Sequence, residues 1–187
     1  MKNIATLALL TVAVTTVYAH DRTVRMTFSG TEGGSPINLQ QPNTTTGEAD
    51  FAGNGTLGPF TYHNVEANGV IPQASSACSG ATQLYLTTMV GTAVFRFQDG
   101  SLLKVNLTEG ADCIDLAAQE AHCTRIFQIS GGTGRFKNAS GGLTLTFTAV
   151  PVLADALNNP VFFVATGELT GTISGVSREE DSGDKQQ

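Results

Sequence analysis

The chain has 187 residues and a formal charge of −6 at neutral pH. Its length fits one domain of ordinary size after removal of a short leader, enough to bury a core without relying on cross-links. Its acidity argues against nucleic acid and anionic lipid as partners, because both repel a chain of like charge.

Residues 1–19 read as a signal peptide. Lys2 supplies the basic start, Ile4 to Val17 is apolar apart from threonines, and Val17-Tyr18-Ala19 forms a cleavage site. That run is too short to cross about 30 Å of hydrocarbon comfortably, and no later segment is apolar enough. The expectation is export to the periplasm or the extracellular space, with no membrane insertion after cleavage. Residues 20–176 then form the domain. Residues 177–187 are polar and charged with no apolar anchor, as in a disordered tail.

The predicted elements are nearly all strands. Arg22 to Ser29 places Val24, Met26 and Phe28 on one side. Thr31 to Asn54 is rich in Gly, Pro, Thr and Asn and reads as an irregular connection, extended only around Ala49 to Phe51. Phe60 to Val70 and Gln83 to Val90 read as strands. Val94 to Leu107 reads as a hairpin about Asp99-Gly100, a pair suited to a type I′ turn. Ile114 to Ala121 is the one stretch with helical character. Strands follow at His122 to Ser130, Leu143 to Val150 and Val161 to Ile173, the last two separated by a turn at Asn158-Asn159-Pro160. Seven or eight short strands suggest a sandwich or barrel. Gly167, Gly171 and Gly175 suit bends in a coiled sheet. The predicted fold class is therefore all-β, a single closed antiparallel barrel of about eight strands.

Three cysteines, Cys78, Cys113 and Cys123, lie in the mature region. Export permits a disulfide. Closing the short loop between Cys113 and Cys123 is the simplest pairing, which leaves Cys78 over; the other two pairings stay open. No C-x-x-C spacing points to a metal site.

Glu66 shares strand phase with Phe60 and Tyr62, and Arg125 shares phase with Phe127 and Ile129. If those apolar residues face inward, both charges do too, and they must pair. Inside a cavity such a pair is a candidate anchor for a small ligand, with Tyr62 and Tyr85 as polar-tipped neighbours. The competing reading is that a bulge turns one charge outward or that the pair sits at the rim. Cleavage after Ala19 would make His20 the mature N-terminus. Its amine and imidazole, with His63 or His122, would suit Cu(II); the competing reading is an ordinary solvated end residue. No G-x-S-x-G, H-E-x-x-H or EF-hand pattern occurs, and nothing in the sequence calls for a cofactor.

The segment Gly131-Gly132-Thr133-Gly134-Arg135-Phe136-Lys137-Asn138-Ala139-Ser140-Gly141 combines a glycine turn, a phenylalanine and a small-residue turn. Gly131, Gly132 and Gly134 allow a tight reversal, Phe136 is placed to plug a barrel end, and Gly141 restarts a strand. A phosphate-cradling loop needs a different spacing and a following helix. This segment resembles one found in bacterial secreted proteins with the allene oxide cyclase–like barrel, a superfamily that includes the dirigent proteins. Gly58-Pro59-Phe60-Thr61-Tyr62 and Gly167 to Gly175 are similar to its earlier and closing strands. The resemblance implies an eight-stranded antiparallel barrel with a central cavity, and it brings no catalytic residue onto a matching motif here. Two functions compete. One is a secreted module that binds a small apolar or aromatic molecule or an envelope component. The other is a cofactor-free cyclase or isomerase working in the cavity, with Glu66 and Arg125 supplying charge.

Overall fold

Period-two alternation of apolar side chains gives one sheet that curls on itself. The computed structural model describes residues 21–78 and 83–177. Residues 1–20, which include the expected leader and His20, and residues 79–82 and 178–187 lie outside the described residues. Eight strands follow in order: β1 (Arg22–Gly34), β2 (Thr44–Gly55), β3 (Phe60–Gly69), β4 (Gln83–Phe97), β5 (Leu102–Asp115), β6 (Glu120–Gly132), β7 (Ser140–Ala154) and β8 (Pro160–Ser174). Each pairs with the next in antiparallel fashion, and β8 pairs with β1, closing the barrel. Closure leaves no free sheet edge.

Several strands run further than composition suggests. Thr31 to Asn54 is mostly ladder, because β1 continues to Gly34 and β2 begins at Thr44. Gly30 shows why glycine here does not mean loop: a Cβ on it would lie 2.1 Å from the Asp50 carbonyl oxygen and 2.7 Å from Phe51 Cα. The residue is small because two backbones meet closely. Ile114 to Ala121 is a hairpin, not a helix. Its turn is held by Asp115 Oδ1, which accepts from the Ala117 and Ala118 N–H groups at 2.9 and 3.1 Å. At Asp99-Gly100 only Gly100 has positive φ, 80°. The Phe97 N–H donates to the Ser101 carbonyl and the Gly100 N–H to the Phe97 carbonyl, both at 3.0 Å, so it is a three-residue turn and not type I′.

Bulges change which residues face inward. In β5, Leu103 and Val105 point inward; the register shifts between Leu107 and Glu109, after which Gly110 is buried and Asp112 turns in. The β3–β4 register shifts at Ala67/Asn68. Ala93, Phe95 and Phe97 are inward beyond that shift, and Leu84 and Thr88 are inward before it.

The same register decides the disulfide. Cys123 lies opposite Asp112 and so shares its inner face; Cys113 lies opposite His122 on the outer face. Cys113 and Cys123 therefore cannot meet, and the expected bridge between them is not formed. Cys113 instead bonds Cys78, with Cα atoms 5.5 Å apart, and Cys123 is a buried free thiol.

The two barrel ends differ. One carries the 56–59, 98–101 and 133–139 connections. There Gly131 and Gly132 end β6, Gly134 to Phe136 form a single 3₁₀ turn, and Gly141 in β7 pairs with Ile173. Gly134 has φ 56°, which the reversal requires. Phe136 is 0% exposed and packs on Phe97 with ring centroids 4.7 Å apart. Arg135 lies across both rings and donates to the Leu57 carbonyl at 2.6 Å. The Ser177 N–H donates to the Arg135 carbonyl at 2.9 Å, so ordered chain extends to the first residue of the expected tail. Above this closed end, Phe28, Phe51, Tyr62 and Phe95 stack through the middle of the barrel. The other end carries the 35–43, 116–119 and 155–159 connections and leads into the β3–β4 connection; it is not filled.

Candidate functional site

Above the aromatic layer lies a charged one. β3 delivers Asn64 and Glu66, β5 delivers Asp112 and β6 delivers Arg125, all inward by strand phase. The Arg125 and Glu66 side chains are 3% and 7% exposed, and Asp112 is 14% exposed. Arg125 Nε donates to Glu66 Oε1 and Oε2 at 3.1 and 3.0 Å, and Nη2 donates to Oε1 at 2.7 Å. On its other edge, Nη1 and Nη2 donate to Asp112 Oδ1 and Oδ2 at 2.7 and 3.2 Å. Nη1 also reaches the Ala111 and Thr124 carbonyls at 3.1 and 3.0 Å. The guanidinium fork thus meets a carboxylate on each edge, the geometry that suits it best. Burial alone would lower the Arg125 pKa; Glu66 and Asp112 offset it and hold the group well above its ordinary value. Asn64 completes the layer. It donates to Glu66 Oε2 at 2.9 Å and accepts the Ala49 N–H at 2.8 Å.

The sequence places Glu66 and Arg125 inward, and they are in contact. Their donors and acceptors face protein groups, so the pair itself presents little to a ligand. Tyr62 is buried one layer below; burial raises its hydroxyl pKa, Glu66 raises it further, and its Oη has no well-formed hydrogen bond among the described residues. Tyr85 does not join them. It lies opposite Cys113 on the outer face, half-buried, with its carbonyl accepting the Gln73 N–H at 2.9 Å. His63 and His122 are also outside, bound to Asp50 at 2.8 Å and Glu120 at 3.1 Å. Among the described residues no three His, Cys, Asp or Glu side chains are grouped to hold a metal ion.

The unfilled end is a cavity of about 730 Å³. Its walls are Leu84, Ile114, Ala121, Ala149, Leu153 and Phe163, and Asp112 and Cys123 lie toward the charged layer. Burial pushes the Cys123 thiol well above its ordinary pKa, and Asp112 pushes it further, so it is an inert thiol at neutral pH.

Glu32 also lines the cavity. It continues the inward phase of Phe28 on β1, opposite the buried Ala49. Burial raises its carboxyl pKa from 4.5 to about 7; Arg125 pulls it back, while Glu66 and Asp112 push it up. Sequence reading missed Glu32 because its surroundings look like a loop, and missed Asp112 because a bulge reverses its phase. Extending the Val24, Met26, Phe28 alternation by two steps would have found Glu32.

Folded Glu32 holds its proton over a range where the unfolded chain has lost it. Stability should therefore fall as pH rises from about 4.5 to 7. With solvent screening in the cavity, the effect is about 1–2 kcal/mol. Urea unfolding across that range should show the slope in the native chain and a flatter one in Glu32→Gln.

No protein-family model matches the chain, and no curated protein matches it. Among solved structures it is similar to the pterocarpan synthase dirigent protein PsPTS1, at 16% identity and a TM-score of 0.44, covering 85% of this chain and 97% of that one. It is also similar to the pterocarpan synthase dirigent protein GePTS1, at 14% identity and a TM-score of 0.38, covering 87% and 97%. Neither value supports carrying a residue or an activity across.

Proposed function

We propose that this chain is an exported binding module that holds a small, largely apolar molecule in the cavity at the open end of its barrel. The observation that carries the reading is the contrast between the two ends. Phe136 and Leu57 fill one, whereas about 730 Å³ stays open at the other, within the usual range for small-molecule sites. Apolar walls would supply most of the binding energy by burial, and the carboxyl groups would orient the ligand. The Cys78–Cys113 bridge and the leader-like residues 1–19 support export.

Ala121→Trp tests the site directly. Ala121 is half-buried and lines the cavity, so an indole there enters open space and not packed core. The expected result is an unchanged melting temperature and at least about a ten-fold loss of ligand affinity. Native mass spectrometry of the protein from its source would identify a retained ligand, and the variant should carry less of it. Equal occupancy in both proteins would overturn the assignment.

A second reading, a cofactor-free cyclase or isomerase, is favoured by one feature. The Glu32 carboxyl titrates at about 7 inside the cavity, where it could both give and take a proton. Glu66 and Arg125 have their hydrogen bonds committed to each other, Asn64 and Asp112, so catalysis would rest on Glu32.

A further inference from the structure

We propose that the cavity selects organic cations: an apolar body against its apolar walls and a terminal ammonium held by Glu32 and Asp112. This inference rests on the binding reading above and adds the chemical class of ligand. The observation is an imbalance of charge. Among the described residues, Glu32, Asp112, Asp115 and Glu120 line the cavity, and no lysine, arginine or histidine does. Arg125 sits beneath the floor, its fork committed to Glu66 and Asp112.

The four acids are not equivalent. Asp115 holds the 116–119 turn and Glu120 pairs with His122. Asp112 spends its oxygens on Arg125 yet keeps part of its surface in the cavity. The Glu32 carboxyl makes no hydrogen bond among the described residues, and β1 delivers it from across the barrel from β5, which carries Asp112. An ammonium has three donors and no acceptor, which matches a lining rich in carboxylate oxygens. A carboxylate ligand would meet like charge at all four acids and find only the neutral amides of Asn68, Gln119 and Asn158, and an uncharged alcohol would leave the excess negative charge unbalanced. The acidic chain would also steer cations toward the opening.

Binding would be linked to protonation of Glu32. The charged groups that act on it are Arg125 from β6, Glu66 from β3 and Asp112 from β5; its strand neighbours Ala49 and Phe163 carry no charge. An ammonium favours the ionised carboxylate, so affinity should rise with pH while the amine itself stays protonated.

The test is isothermal titration calorimetry of the mature chain with octylammonium, 1-octanol and octanoate. The expected order is octylammonium tighter than octanol by about ten-fold, with octanoate weakest. Octylammonium affinity should rise about ten-fold between roughly pH 6 and pH 8. In Glu32→Gln both the preference and the pH dependence should disappear while octanol still binds. Octanol binding as tightly as octylammonium would overturn the cation selectivity and leave the binding module standing. A preference that survives in Glu32→Gln would overturn the assigned role of Glu32. Binding of none of the three would overturn this inference and the cavity reading together.

Discussion

Replacing Arg125 by leucine should destabilise the barrel by about 3–5 kcal/mol, the usual result of removing one partner from a buried ion cluster. Glu66 and Asp112 would remain inside with their charge uncompensated, and Asn64 offers only one donor to Glu66. Leucine also cannot satisfy the Ala111 and Thr124 carbonyls that Nη1 now meets. Arg125→Lys should recover only part of the loss, since a point charge cannot bind two carboxylates edge-on. Urea unfolding of both variants measures this. The informative rescue is the triple change Glu66→Leu, Asp112→Leu, Arg125→Met. It removes the charges together, and it should come within about 1–2 kcal/mol of the native chain or exceed it. If Arg125→Leu alone is neutral, the cluster is not a structural unit. Loss of ligand in an unfolded variant would not distinguish a structural role from a binding one, so stability must be read first.

The barrel was legible because apolar alternation survives in most strands. Leu143, Leu145 and Ala149 in β7 read inward from sequence and are buried. Glycine misled at Gly30, where composition suggested a loop and close backbone packing required the residue. The charged layer was half legible. Glu66 and Arg125 kept the phase of their aromatic neighbours, so their inward direction followed from β3 and β6 alone. Asp112 did not, because a bulge near Leu107 moves the inner face from odd to even positions, and nothing in Leu107-Thr108-Glu109 announces it. Cys113 and Cys123 looked like loop partners because the stretch between them reads as a connection; it is a hairpin whose register sets Cys113 opposite His122 and Cys123 opposite Asp112, on opposite faces. A period-two argument is therefore reliable between bulges and reverses across them.

The Cys78–Cys113 disulfide, on the outer face of β5, yields the other large effect. Cys78 and Cys113 are 35 residues apart in sequence, and closing such a loop restricts the unfolded chain by about 3–4 kcal/mol in the entropy model. The double variant Cys78→Ser, Cys113→Ser should therefore lose about 2–4 kcal/mol, lowering the melting temperature by roughly 5–15 °C for a chain of this size. Reduction of the native protein should have the same effect, and calorimetry with and without reductant measures it. Cys123→Ala should not, because Cys123 takes no part in the bridge. Thiol titration separates the pairings. The native protein should show no reactive thiol when folded and one after unfolding, and proteolytic mapping should place that thiol at Cys123. The location matters for function as well. The bridge ties the connection before β4 to the outside of β5, one residue from Asp112, and Leu84 and Asp112 both line the cavity. Hydrogen exchange in the reduced protein should accelerate first in residues 70–78 and the start of β4, while the Phe136 end stays protected. Uniform acceleration of both ends would mean that the bridge stabilises the whole barrel without specifically holding the shape of its open end.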